Sequence, residues 1–174
     1  MNKKIYESLV LELFFDDPEG AFHIREIARQ IRKHPNTVLK DANLLVKEGL
    51  LLKRVTRAVV EIKANRESEL FTCLKRLSNL RKVYLSGIID AIQKEYGAPK
   101  AIVLFGSYSR GEDTKRSDVD IAVITTRELH LDWSGYRDTF KRAIQVHEID
   151  LQKVGKSFIT NLANGIVLKG YLDI

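Results

Sequence analysis

A single cysteine, Cys73, stands in the 174 residues. One thiol cannot close an internal disulfide, so the chain is expected to work in a reducing compartment, the cytoplasm. Cys73 lies between Leu70 and Leu74 in a helical pattern and reads as a packed small residue. No apolar run approaches the roughly 18 residues of a membrane span, and no membrane association is expected. Met1-Asn2-Lys3-Lys4 leads into an amphipathic pattern in place of a signal peptide. Histidines number four, and His130 and His147 sit at no spacing that suggests metal ligation; both read as structural or surface residues. Trp133, the one tryptophan, reads as packing. What remains is 44% hydrophobic and 30% charged, the composition of a soluble globular protein of one domain or two small ones.

The net charge of +6 is unevenly placed. Residues 21–63 hold ten Lys or Arg against four acids, an excess equal to that of the whole chain, whereas residues 98–174 are nearly balanced. This basic stretch has its own pattern. Ile5, Leu9, Val10, Leu13 and Phe14 recur at helical spacing up to Asp16-Asp17-Pro18-Glu19-Gly20. Residues 23–31 form a second, short helix with Ile24, Ile27, Ala28 and Ile31 on one face. A third starts near Pro35, buries Val38, Ala42, Leu45 and Val46, and ends at Gly49. Two short strands, 50–52 and 59–62, flank a basic hairpin tip at residues 54–57.

Helix, helix-turn-helix and hairpin together resemble the winged helix-turn-helix domain of prokaryotic transcription regulators. Asn36-Thr37-Val38 through Leu44-Leu45, then Glu48-Gly49-Leu50-Leu51, is similar to the recognition helix and wing entry of that family. The resemblance implies DNA as a partner, with the third helix leading into the major groove by its N-terminal residues. Lys33, Asn36, Thr37 and Lys40 would face the DNA, and Arg54 and Arg57 on the wing would meet the backbone or minor groove. Asn36 suits base contacts, whereas Lys and Arg contacts to phosphate mainly position the protein.

Residues 67–96 carry apolar residues every three or four positions, with weak points at Ser78-Asn79 and Ser86-Gly87. A bent helix or two helices are expected there. The apolar face is too broad for an isolated linker, and a homodimer that reads a palindromic site would pair through it.

The densest signal follows. Ala101-Ile102-Val103-Leu104-Phe105 is a continuous apolar run, as for a strand buried on both faces, and leads into Gly106-Ser107 and Arg110-Gly111. Ser117-Asp118-Val119-Asp120 then opens a second strand over 119–125. Side chains alternate along a strand, so Asp118 and Asp120 share one face. Two carboxylates beside a glycine turn with free backbone N–H groups can hold a divalent metal and a phosphate chain together. A helix over 134–146, a strand over 148–154, a helix over 158–163 and a terminal turn and strand over 165–170 complete the reading.

Gly-Ser, Arg-Gly, a short spacer and Ser-Asp-x-Asp before an apolar run resemble the signature of the polymerase-beta-like nucleotidyltransferase superfamily, most closely its minimal nucleotidyltransferases. The expected fold is α+β: a winged helix-turn-helix over 1–64, a helical connector over 65–97 and a nucleotidyltransferase domain with a small mixed sheet over 98–174. The resemblance implies an NTP substrate, ATP above all, and a two-metal Mg²⁺ site. Its ligands would be Asp118, Asp120 and, as third acid, Asp150, with Gly106, Ser107 and Arg110 at the nucleotide. Arg110 is as well read as pairing with an acid to hold its loop. Minimal nucleotidyltransferases often pair with an all-helical HEPN toxin, and some act as antitoxins by adding AMP to it. A protein acceptor of that kind is therefore implied, with a DNA-binding domain that regulates the operon. The alternative is a transcription regulator whose transferase fold only senses nucleotide or binds a partner.

Overall fold

The computed structural model describes Ile5 and residues 7–55 and 60–173. Two compact units divide the chain, Met1–Lys75 and Arg76–Ile174, and the boundary falls inside a long helix. Among the described residues no helix is long and apolar enough to cross a membrane.

In the first unit, Ser8 caps helix α1 (Leu9–Asp16), its hydroxyl accepting from the Leu11 N–H at 3.3 Å. Strand β1 (Ala21–His23) leads into α2 (Ile24–Gln30), where the Glu26 carboxylate reaches back to the His23 N–H. In α3 (Pro35–Lys47), Pro35 occupies the first turn and His34 Nδ1 accepts from the Asn36 N–H. The helix stops in a Schellman turn: the Leu50 N–H bonds the Leu45 carbonyl, the Gly49 N–H bonds that of Val46, and Gly49 takes φ +73°. Strands β2 (Leu51–Val55) and β3 (Val60–Ala64) pair antiparallel, and β1 adds to β3, giving the order β1-β3-β2. Phe14, Ile27, Ala42, Leu50 and Ile62 are fully enclosed at the centre. Strand β1 has no counterpart in the sequence pattern, which starts the second helix at residue 23. Thr56 and Arg57 of the expected hairpin tip lie outside the described residues.

Helices α4 (Glu69–Leu85) and α5 (Ile88–Tyr96) part at Ser86-Gly87, where Gly87 takes φ +77°. Ser78-Asn79 does not interrupt α4. The Asn79 amide, which would otherwise compete for its own backbone, is buried and bonds elsewhere.

The second unit is built on a four-stranded sheet, β4 (Ala101–Phe105), β5 (Val119–Ile124), β6 (Ile144–Ile149) and β7 (Ile166–Gly170), in the order β6-β5-β4-β7. Only β5 and β6 run parallel. Ile102, Leu104, Val119, Ile121 and Val123 pack with Ile88, Ile92 and Tyr96 of α5. Ala101, Val103, Phe105, Ala122 and Ile124 face the other way, with Leu162 and Phe158 of α8 (Lys156–Ala163). The central strand β4 is thus covered on both faces, as its unbroken apolar run requires.

One stretch departs from expectation. In place of a helix over 134–146 there is a 3₁₀ turn (Ser134–Tyr136) and a single turn of helix, α7 (Arg137–Phe140), ended by Lys141 at φ +54°. The strand expected over 148–154 instead occupies Ile144–Ile149. Residues 144–149 also alternate, so pairing beside β5 overrides the helical spacing of Tyr136, Phe140, Ala143 and Ile144. After Ile149 the chain turns: the Asp150 carboxylate accepts from the Gln152 N–H and its carbonyl from the Lys153 N–H.

Candidate functional site

Strand β4 ends at Gly106, which takes φ +73° and opens a five-residue helix, α6 (Gly106–Arg110). Glycine is required here twice over. The backbone is left-handed, and a Cβ at this position would lie 2.7 Å from Asp120 Oδ2. Asp120 sits on β5, opposite Phe105 on one side and Gln145 on the other. Asp118 precedes the strand by one residue, with Oδ2 3.5 Å from Gln145 Nε2. Asp120 Oδ1 lies 3.1 Å from His147 Nε2. Since Gln145 and His147 share a face of β6, both carboxylates look out from the same face of the sheet, as the Asp-x-Asp spacing predicts. Ser107 is half-buried at the first turn of α6, and the Ser109 hydroxyl fastens the turn by donating to the Gly106 carbonyl at 2.8 Å. The Gly106→Ala change is expected to cost about 1–2 kcal/mol through the left-handed backbone alone. It should also displace the Asp120 carboxylate, so whatever activity depends on that carboxylate should fall by more than the shift in melting temperature accounts for.

Two expected members of the site are placed differently. Arg110 Nε donates to Glu112 Oε2 at 2.7 Å on the exposed side of the loop, the acid-pairing role rather than a reach to the nucleotide. Asp150 is not brought to the carboxylate pair. In the parallel register Asp120 stands beside Gln145 and Ile124 beside Ile149, so Asp150 follows the far end of the strand. Five residues of strand separate it from Gln145, about 16 Å at 3.3 Å per residue. There it pairs with Lys153 at 3.5 Å and lines a cleft of about 560 Å³ with Lys100, Thr125 and Arg127. The side chain that meets Asp120 from β6 is His147. Its sequence spacing reads as that of a structural or surface residue; only the pairing of β5 with β6 brings it to Asp120.

Among the described residues, no three His, Cys, Asp or Glu side chains are grouped so as to hold a metal ion. The three-carboxylate cluster is therefore not assembled, and a two-metal site does not fit these residues. A single divalent ion does fit: Mg²⁺ commonly takes one or two carboxylates and completes its shell with phosphates and water. Asp118 and Asp120 would supply those carboxylates, with the glycine turn leaving room beside Asp120.

A buried polar network supports the turn that carries Asp118. Arg142 Nη2 and Nε donate to Asp113 Oδ2 at 3.0 and 3.3 Å, both side chains shut away from solvent. Asn79 Nδ2 donates to Asp113 Oδ1 at 2.7 Å and to the Tyr108 carbonyl at 3.0 Å. Helix α4, helix α6, the loop before β5 and the segment before β6 are tied together at this point. Of the three, only Asn79 stands out in the sequence, and there as a weak point of a helix.

In the first unit, Lys33, Asn36, Thr37 and Lys40 are all exposed at the start of α3, and Arg54 is exposed on β2. Arg57 falls outside the described residues. A cleft of about 940 Å³ opens between α2 and α3, lined by Arg25, Arg29, His34, Asn36, Leu39 and Val60 among others. Arg25 and Arg29 extend the basic face beyond the residues expected from sequence.

The family described as Polymerase beta, Nucleotidyltransferase matches residues 88–171, the span that builds this sheet and its glycine turn. Two proteins of Methanocaldococcus jannaschii, each named "Putative protein adenylyltransferase", are similar to the chain. One is 30% identical over 88 residues, 51% of this chain and 86% of that protein. The chain belongs to the polymerase beta nucleotidyltransferase family. The other relative is 46% identical over 37 residues, 21% of this chain and 37% of its own length. No solved structure gives a significant match. The nucleotidyltransferase match begins at Ile88, the first residue of α5.

Proposed function

We propose that the second unit transfers a nucleoside monophosphate from an NTP, ATP above all, to a partner protein. The first unit would be a winged helix that binds DNA. The observation that carries the first half is the Asp118–Asp120 pair closed against the left-handed turn at Gly106. A hydroxyl of the acceptor would attack the α-phosphorus, the bond to the β-phosphate oxygen would break, and pyrophosphate and a proton would leave. Bound Mg²⁺ would neutralise phosphate charge. The chain's own part is to fix the two carboxylates through Gln145, His147 and the buried Asp113 network, and to keep the turn open beside Asp120. The names of the two archaeal relatives favour a protein acceptor and AMP as the group transferred.

The test is incubation with Mg²⁺ and ATP labelled at the α-phosphorus, with the product of the adjacent gene as acceptor. Label on protein and release of pyrophosphate are expected. No label on either protein, or equal labelling from γ-labelled ATP, rejects nucleotidyl transfer. The competing reading, a regulator whose transferase fold only senses nucleotide, gains from one observation: Asp150 is not assembled with the carboxylate pair. Nucleotide binding with no transfer of α-label, in the unaltered chain as in Asp120→Asn, would favour it.

The DNA half rests on the concentration of exposed cations at the start of α3 and on β2. Lys40→Ala and Arg54→Ala are each expected to weaken duplex binding across all sequences and to lower the salt slope by about one. Asn36→Ala should instead relax preference at one base position. Binding that ignores salt, or no binding to any duplex including the protein's own promoter, rejects it. Two chains on a palindrome are part of this reading, and a monomeric mass on DNA counts against that part.

A further inference from the structure

Glu148 lies on β6 one residue beyond His147, and therefore on the opposite face of the sheet from Asp118 and Asp120. Three donors converge on a single one of its oxygens. The Tyr96 hydroxyl reaches Oε1 at 2.6 Å, and the backbone N–H groups of Leu129 and His130 reach it at 2.8 and 2.9 Å. The other oxygen, Oε2, is buried and has no hydrogen-bond partner among the described residues. His130 Nδ1, at 3.7 Å, is too far to serve as one. Only 9% of the side chain is exposed. A carboxylate oxygen enclosed without a donor is unfavourable unless something else supplies the donor.

The same side chain lines a cleft of about 340 Å³. Tyr96 and Trp133 give it aromatic walls, Leu131 and Val146 aliphatic ones, and the exposed Glu128 adds a second carboxylate; the exposed His130 also lines it, and no Lys or Arg does among the described residues. Burial works to raise the Glu148 carboxyl, but the Tyr96 hydroxyl and the two backbone N–H groups outweigh it and hold the group below its ordinary value. Burial, and then the Glu148 bond, push Tyr96 well above the usual phenol range, so its hydroxyl keeps its proton and stays a donor. The cleft thus keeps negative charge and aromatic surface in a chain whose net charge is +6.

We propose that this cleft binds an alkylammonium or guanidinium group, which donates to Glu148 Oε2 and lays its hydrocarbon stem against Trp133 and Tyr96. Cations are drawn both to carboxylates and to aromatic faces. A triphosphate is excluded, because its charge would meet two carboxylates. The site is therefore separate from the one that Asp118 and Asp120 form, and its occupant is either a free amine or a Lys or Arg side chain of a protein partner.

Trp133 is the chain's only tryptophan, so its emission reports on the cleft directly. The full chain is titrated with n-butylammonium, n-butylguanidinium, the neutral control n-butanol and the peptide Gly-Arg-Gly. Saturable changes are expected with the cations, at affinities at least about tenfold above that of butanol, a factor that corresponds to one hydrogen bond to a charged group. Glu128→Gln, an exposed change, should weaken the cations about threefold, and added salt should do the same. Glu148→Gln should abolish the difference between cation and alcohol. Tighter binding of Gly-Arg-Gly than of butylguanidinium assigns the site to a partner's side chain; equal binding assigns it to a free amine, and both support the proposal. Butanol binding as well as butylammonium overturns it. So does a cation affinity unchanged by both Glu128→Gln and salt.

Discussion

Asp120→Asn is expected to lower nucleotidyl transfer by about 10²–10³-fold, the scale seen when one fixed electrostatic group is removed from a reacting centre. Asparagine keeps the shape of the side chain and an oxygen for His147 at its present 3.1 Å, so the change removes charge and little else. Asp118→Asn should act in the same direction. Asp150→Asn is expected to leave the rate within about threefold, because the present contacts of its carboxylate are Lys153 and the Gln152 N–H, far along the sheet from the other two. Initial rates with α-labelled ATP separate these outcomes, with circular dichroism to show that each variant is folded. A fall in Asp150→Asn as deep as in Asp120→Asn would mean that the strand after Phe140 pairs with β5 three or five residues further along during turnover, an odd slip that turns Asp150 to the face of Asp120. In that case the three acids would form a cluster after all.

That contrast marks where the sequence is informative and where it is not. The apolar run at Ala101–Phe105 can only be a strand covered on both faces, and the parity of Asp118 and Asp120 holds in any strand that contains them. Gly106 was legible as the glycine of the turn, whereas the want of room for a Cβ comes from Asp120 on the neighbouring strand and follows only from the pairing of β4 with β5. Register is another matter. Residues 144–149 and 148–154 both alternate well enough to make a strand, and the choice between them depends on pairing with β5, some 25 residues earlier in the chain. Placing Asp150 beside Asp120 takes a slip of five residues from the observed register, which both carries it from one end of the sheet to the other and turns it to the face of Asp120. Strand β1 was invisible for a similar reason: three residues hold no period, and they form a strand only because β3, about 40 residues on, presents an open edge. His147 and Arg142 gain their meaning only from partners that are distant in sequence.

Arg142→Ala is the change expected to be most damaging to stability, at about 3–5 kcal/mol, the cost of leaving a buried charge without its partner. The Asp113 side chain is wholly buried and that of Arg142 nearly so, so water cannot readily take the place of the guanidinium. Asn79 still donates to Oδ1, which places the expected cost toward the lower end of that range. Replacing both charges, as Asp113→Leu with Arg142→Met, should recover part of the loss, because both charges leave together, although the buried Asn79 amide gives up one acceptor. Urea unfolding of the full chain, followed by Trp133 emission, reads the transition of the unit that holds the pair. A shift below about 1 kcal/mol in Arg142→Ala would show that the pair is solvated in solution and only marginally stabilising. Activity provides the second reading. Asp113 anchors the loop from Gly111 to Ser117, whose Ser117 hydroxyl accepts from the Thr114 N–H at 2.9 Å immediately before Asp118. The double variant should therefore regain stability before it regains rate: an apolar pair fills the space but does not hold the loop in one arrangement.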